Sequence, residues 1–99
     1  MADMSMPRYA ARTDLNQQEI VDALKKIGCS VEIIGTPVDL LVGRTGRNGR
    51  HTYLIEVKRP GEKPRTKKQK DFIKNWKGQV RICETAEEAI RLVTRAYES

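Results

Sequence analysis

Apolar residues recur at helical spacing in three stretches of the chain and as short strand-like runs in four others. Ile20, Val21, Leu24 and Ile27 line one side of a helix. Asp14 is placed to cap it, Gln17 to complete a capping box and Gly28 to stop it, so the pattern predicts a helix over 14–27. Val31-Glu32-Ile33-Ile34 reads as a short strand broken by Gly35-Thr36-Pro37. Val38-Asp39-Leu40-Leu41-Val42 hardly alternates and reads as a largely buried second strand. The glycine- and arginine-rich run over 43–50 reads as a loop whose Asn48-Gly49 marks a hairpin turn. A third strand follows over 51–58, ended by Pro60 and Gly61. Pro64 opens a second helix to about Lys77, with Gln69, Phe72, Ile73 and Trp76 as its inward stripe and Gly78 as its stop. Residues 79–83 make a fourth strand. Thr85-Ala86-Glu87-Glu88 is a capping box for a last helix striped with Ala89, Ile90, Val93, Ala96 and Tyr97. The expected order is αβββαβα around a mixed sheet, in the α/β class. Residues 1–13 are expected to be a flexible segment ahead of one domain over 14–99.

With 99 residues, the chain makes one small domain, so a site is expected to be an open cleft suited to a large ligand. Apolar residues make up 38% and charged residues 32%, and no apolar run approaches the ~18 residues of a membrane span. Residues 1–13 contain no apolar signal core. One His and two Cys cannot supply a four-ligand zinc site, and a disulfide scaffold is not expected. The cytoplasm is the expected compartment, bacterial or of a phage-infected host, with no membrane partner.

The net charge of +6 is unevenly spread. Residues 44–81 carry 13 Lys/Arg against three acids, and the rest of the chain carries 6 against 10. A basic block in an otherwise acidic chain points to a polyanion, of which nucleic acid is the commonest. The plainer alternative is a solvated face that aids solubility. Arg44, Arg47 and Arg50 in the glycine-rich run, Arg59, and Lys67, Lys68 and Lys70 on the second helix are the candidate phosphate contacts. Such contacts position a duplex without reading its bases.

Strand alternation puts Tyr53, Ile55 and Val57 on one side and Leu54, Glu56 and Lys58 on the other. Asp39 interrupts an apolar run on the neighbouring strand, where an acid is costly unless paired or metal-bound. Two carboxylates on one face repel, and a divalent cation relieves that repulsion. All-oxygen ligation by Asp39, Glu56 and the Val57 main-chain carbonyl suits Mg²⁺, with Mn²⁺ as a substitute. Lys58 is placed to orient a metal-activated water or to balance charge at phosphorus. The bland alternative is a salt bridge from Lys58 to Asp39 or Glu56. Glu19, on the flank of the first helix's stripe, is placed to lean toward the metal, or is a plain solvated acid. Gln69 sits where a core helix would carry Leu, so it needs a polar partner: the site, a phosphate or a base, or else a strand end that its amide caps.

Taken in order, Glu19, Gly35-Thr36-Pro37-Val38-Asp39-Leu40-Leu41-Val42, Ile55-Glu56-Val57-Lys58-Arg59-Pro60 and Gln69 resemble the PD-(D/E)XK nuclease superfamily, whose core is αβββαβ. The nearest likeness is to its VRR-NUC (virus-type replication-repair nuclease) branch, over about residues 14–83. Val38, between Pro37 and Asp39, departs from the branch's usual Pro-Asp pair. The resemblance implies a restriction-endonuclease-like fold and Mg²⁺-dependent hydrolysis of DNA phosphodiesters. In it Asp39 and Glu56 bind the metal, Lys58 is the catalytic lysine, and Glu19 and Gln69 are helix-borne active-site residues. Stand-alone members are small homodimers that resemble Holliday junction resolvases, while fused members act on flaps. A four-way junction has approximate two-fold symmetry, which a C₂ dimer with two sites matches. Its apolar contact is expected from the last helix or from the chain start, including Tyr9. Two rival readings keep part of this picture: an endonuclease on linear duplex DNA or flaps, and a non-catalytic nucleic-acid-binding module.

Overall fold

The computed structural model describes residues 8–59, 61 and 65–95, with side chains from Leu15 onward. Residues 1–7, Pro64, the Tyr9 side chain, Ala96 and Tyr97 therefore lie outside the described residues. The elements in chain order are α1 (Arg8–Lys26), β1 (Ser30–Ile33), β2 (Leu40–Gly46), β3 (Gly49–Val57), α2 (Lys67–Asn75), β4 (Val80–Cys83) and α3 (Ala86–Thr94). This is the α/β arrangement that the apolar pattern predicts, αβββαβ with a C-terminal helix. The sheet order is β1-β2-β3-β4, antiparallel across the first three strands and parallel between β3 and β4. Among the described residues no helix is long and apolar enough to cross a membrane.

α1 starts six residues earlier than the capping signal at Asp14 predicts, at Arg8. Residues 8–13, expected to be part of a flexible segment, are helical. No Gly or Pro interrupts residues 8–27, and Ala10 and Ala11 are strong helix formers, so nothing local stops the helix at Asp14. The other end follows expectation. The Cys29 N–H donates to the Leu24 carbonyl at 3.0 Å and the Gly28 N–H to the Lys25 carbonyl at 2.9 Å. Gly28 has a φ of 95°, and buried Cys29 packs in the same cluster as Leu24, which together make a Schellman cap.

The expected arginine loop is mostly strand. β2 runs to Gly46 and pairs Arg44 with His51, Thr45 with Arg50 and Gly46 with Gly49, leaving only Arg47 and Asn48 at the tip. Neither tip residue has a positive φ. That role falls on Gly49 at 114°, so the turn is not the I′ type that Asn-Gly most often signals.

The inner face of the sheet carries Leu40, Val42, Tyr53, Ile55 and Val57, all buried against Ile20, Val21 and Leu24 of α1 and Ala89 and Val93 of α3. The Tyr53 hydroxyl donates to the Val93 carbonyl at 3.2 Å, giving the largest core side chain a polar anchor. Burial pushes the Cys83 thiol up to about 11, with Glu88 adding and Arg81 opposing, and burial also raises Cys29. Both cysteines are free, and neither is a reactive thiolate.

α2 departs most from expectation. It is capped by Thr66, whose hydroxyl accepts from the Gln69 N–H while the Gln69 side chain accepts from the Thr66 N–H. The helix ends at Asn75, where Trp76 turns extended. None of its residues is buried, and Trp76 is 50% exposed. Phe72 and Trp76 stack on each other with centroids 5.1 Å apart, so part of the intended inward stripe is covered within the helix itself.

Candidate active site

Asp39 stands immediately before β2. The loop ahead of it closes on its carbonyl, which accepts from the N–H of Ile34 at 2.9 Å and of Gly35 at 3.2 Å. Val38, the residue that separates Pro37 from Asp39, is buried and anchors that loop in the interior. Continuing the β2–β3 register by one step from Leu40 and Ile55 sets Asp39 opposite Glu56. Glu56 alternates with the inward Ile55 and Val57, so its carboxylate rises from the opposite side of β3, whereas Asp39 stands just outside β2 with its carboxylate turned onto the Val57 N–H. Glu56 is the one charged residue among the buried described residues, 5% exposed. The site lies where β3 and β4 end in parallel, the position at which open α/β sheets bind ligands.

Both acids are held by arginines. Asp39 Oδ2 accepts from the Val57 N–H at 2.8 Å, and Asp39 Oδ1 lies 3.2 Å from Arg59 Nη2. Glu56 Oε2 lies 3.5 Å from Arg65 Nε. Arg59 also donates to the side-chain oxygen of Gln17, which ties α1 to the site. One residue earlier, Asn16 Nδ2 donates to the Lys58 carbonyl at 2.7 Å and to the Glu84 carbonyl at 3.3 Å, clamping the ends of β3 and β4 together.

The remaining candidates are placed less centrally. Lys58 is exposed; its N–H donates to the Cys83 carbonyl, and its ammonium is among the charges that hold Glu88 below the usual carboxylate range. Glu19 is exposed on α1, one turn beyond Asn16. Gln69 caps its own helix and lines a cavity of about 410 Å³ with Thr36, Pro37, Thr66, Lys68 and Phe72. That cavity opens between the loop ahead of Asp39 and the start of α2. Among the proposed phosphate contacts, Arg47, Arg50, Lys68 and Lys70 are exposed. Lys67 pairs with Asp71 at 2.8 Å, an exposed pair of little energetic weight. Arg44 is half-buried and lines a second cavity, of about 380 Å³, with Arg50 and His51.

Sequence reasoning missed Arg65 and Asn16, and gave Gln17 only the part of a capping partner for Asp14. Asn16 and Gln17 extend the stripe of Ile20, Val21 and Leu24 back by one turn, so they are polar residues on an inward face. The same signal drew attention to Gln69.

The donor set at this end of the sheet is made of hard oxygens. Each carboxylate carries a cationic group in this fold, which is the electrostatic demand that a metal meets. Asp39, Glu56 and the Val57 carbonyl are hard oxygen donors of the kind Mg²⁺ takes alongside several waters. In an extended residue the carbonyl points to the same strand edge as the N–H, here the edge where Asp39 binds the Val57 N–H. Among the described residues there is no group of three or more His, Cys, Asp or Glu poised around one point, which disfavours an ion that needs a full protein cage. The site therefore fits a water-rich Mg²⁺ or Mn²⁺ held by two carboxylates.

No family model and no solved structure matches the chain. A segment of 45 residues, 44% of the chain, is 44% identical to part of a chorismate synthase from Syntrophobacter fumaroxidans, of which it covers 13%. The likeness is thus confined to a short piece of a much longer protein.

Proposed function

We propose that this protein is a Mg²⁺-dependent DNA endonuclease that acts on branched DNA such as four-way junctions, as a homodimer. The observation that carries the reading is the facing pair Asp39 and Glu56 at the carboxyl ends of β3 and β4. A buried acid opposite a second acid is a costly arrangement for a purely structural strand end. Bound there, the metal supplies polarisation of the phosphodiester and a more acidic water. Asp39 and Glu56 hold the ion, and the Val57 carbonyl completes the protein's share of ligands. Lys58, exposed and free to turn toward the reacting phosphate, orients the water and offsets charge at phosphorus.

The arginine-bearing hairpin supports DNA as the substrate. Arg47 at its tip is separated from Asp39 by a strand length of roughly 25 Å, about seven base pairs of duplex. Contacts at Arg47, Arg50, Lys68 and Lys70 then hold the backbone on both sides of the cut and leave the bases unread. Affinity falls steeply with added salt, and each of these residues changed to Ala lowers it across all sequences alike.

The test is a Mg²⁺ digest of a synthetic four-way junction, a flap and a linear duplex of equal length. Junction cutting is expected to exceed the other two. Asp39→Ala and Lys58→Ala are each expected to lower it by at least about a hundredfold while DNA binding persists. Full cutting by both variants overturns the reading, and preferential cutting of the linear duplex redirects it to a general endonuclease. One observation favours a second reading, a non-catalytic nucleic-acid-binding module: both carboxylates are already neutralised by Arg59 and Arg65. Absence of Mn²⁺ binding to the wild type decides for that module.

A further inference from the structure

Arg65, beside Glu56, is poorly matched to a purely structural role. The separation of Arg65 Nε from Glu56 Oε2, 3.5 Å, is well beyond the ~2.8 Å of a strong charge-assisted hydrogen bond. Arg65 Nε and Nη2 are buried and make no hydrogen bond among the described residues. A guanidinium fork in that state calls for acceptor oxygens that no described residue provides. A phosphodiester presents paired oxygens in the geometry the fork matches.

Arg59 is placed similarly but has a second anchor. Its Nη2 reaches both Asp39 Oδ1 and the Gln17 side-chain oxygen. If Asp39 is taken by a cation, Gln17 still holds the guanidinium near the site. Arg59 follows the end of β3 by two residues and Arg65 directly precedes the Thr66 cap of α2. Both side chains can therefore turn without moving a strand.

We propose that Arg65 and Arg59 are the phosphate-gripping residues of this site. In the metal-free protein they sit on Glu56 and Asp39. With a divalent cation on the carboxylate oxygens, like-charge repulsion would turn both guanidiniums toward the phosphodiester. The inference rests on the metal-binding reading of Asp39 and Glu56 and adds to it an exchange that loads substrate and metal together.

The exchange predicts effects of opposite sign. Arg59→Gln and Arg65→Gln remove a competitor for the carboxylates, so Mn²⁺ binding, measured by the loss of free-Mn²⁺ paramagnetic signal, tightens by about five- to tenfold. The same variants bind a junction more weakly in Ca²⁺ by a similar factor, about five- to tenfold. Arg65→Lys keeps the charge but loses the fork, so it recovers wild-type Mn²⁺ affinity without recovering junction binding. A structural counter-ion behaves otherwise: its removal leaves Mn²⁺ binding unchanged or weaker, and that result overturns the exchange alone. If neither wild type nor variants bind Mn²⁺, the metal reading fails and the exchange with it. Should the Gln variants not fold, the wild type decides. Its arginine Nε–H resonances are expected to move as Mg²⁺ is added, and their indifference to Mg²⁺ overturns the exchange.

Discussion

On its inner side β3 presents Tyr53, Ile55 and Val57 to two helices that bury apolar residues against them. On its other side the same strand presents Leu54 and Glu56, and α2 adds no buried residue to the core. The inner side is a close-packed interior in which volume sets stability. The outer side is thinly covered, carries two acids with their arginines, and leaves Leu41 and Ile82 more than a third exposed. Adjacent residues of one strand therefore sit in different settings: Ile55 holds the fold from inside, and Glu56 pairs with Arg65 on the other side.

The largest effect that tests this contrast is Ile55→Ala against Leu54→Ala. Ile55 is fully buried, so its truncation is expected to cost about 2–5 kcal/mol, a large share of the ~5–15 kcal/mol of a typical domain. Leu54 is only half-buried and is expected to cost about 1 kcal/mol or less. Urea unfolding of the two variants measures both. Equal losses break the comparison and mean that the outer face is covered in solution. The proposed homodimer could do this, and the Leu54→Ala loss would then depend on protein concentration.

Glu56→Gln keeps the volume of the side chain and removes its charge. The loss of the Arg65 pair is expected to cost about 1–3 kcal/mol, less than the core truncation because Arg65 keeps some solvent contact. Junction cutting is expected to vanish under conditions where circular dichroism and urea unfolding still report a folded protein. A residue whose activity cost far exceeds its stability cost belongs to the site. Loss of both in step assigns Glu56 to the scaffold.

The two capping boxes sharpen the contrast further, because they have the same chemistry in different settings. Thr85 caps α3, which buries Ala89 and Val93 in the core, and Thr66 caps α2, which buries nothing. Thr85→Ala is expected to cost about 1 kcal/mol of global stability. Thr66→Ala is expected to leave the unfolding midpoint within about 0.5 kcal/mol. Its effect should appear as lost hydrogen-exchange protection confined to residues 67–75, since a helix that opens locally does not report on global unfolding.

What the chain disclosed in advance follows the same division. The inner stripe of α1, the strand runs, Gly28 and the Thr85 box were legible because core-facing periodicity and caps are local signals. The start of α1 was not: Asp14 is a good cap, but a cap residue inside a run without Gly or Pro does not by itself end a helix. The start of α2 was misread because Pro64 drew the boundary, although Thr66-Lys67-Lys68-Gln69 carries the same box signature as Thr85 to Glu88. Gln69 is accordingly a cap, whatever further part it has beside the cavity. Alternation put Glu56 on the side opposite Ile55 and Val57, and Asp39 falls just outside the strand to which that period applies. It could not give their partners, because Arg59 and Arg65 lie beyond the strand, where period-two reasoning stops. Asn16 was hidden for a related reason, since a polar residue at the end of an apolar stripe reads as solvent-facing until the strand ends it clamps are in place, and Gln17 reads as the box partner of Asp14.

The smallest effect concerns the acid at the far edge of the same strand ends. The Glu88 carboxylate accepts the Glu84 N–H at 2.6 Å and the Thr85 N–H at 3.3 Å. Those two bonds, helped by Arg91 and Lys58, hold it below the ordinary 4.5. A carboxyl with a lowered folded-state value contributes stability above its unfolded value and loses that contribution as pH falls through the folded one. Wild type is therefore expected to be more stable than Glu88→Gln at neutral pH, with the gap closing as pH falls below about 4.5. Added salt should shrink only the part due to Arg91 and Lys58, because the backbone hydrogen bonds are not screened as free charges are. Urea midpoints across pH 2.5–7 at low and high salt measure both, as approximate bounds around the ordinary carboxyl range. A gap that stays constant to the acid end means that the box works through shape alone. Glu88 would then be as structural as Thr85, and the charge at this edge would have no part in placing Lys58.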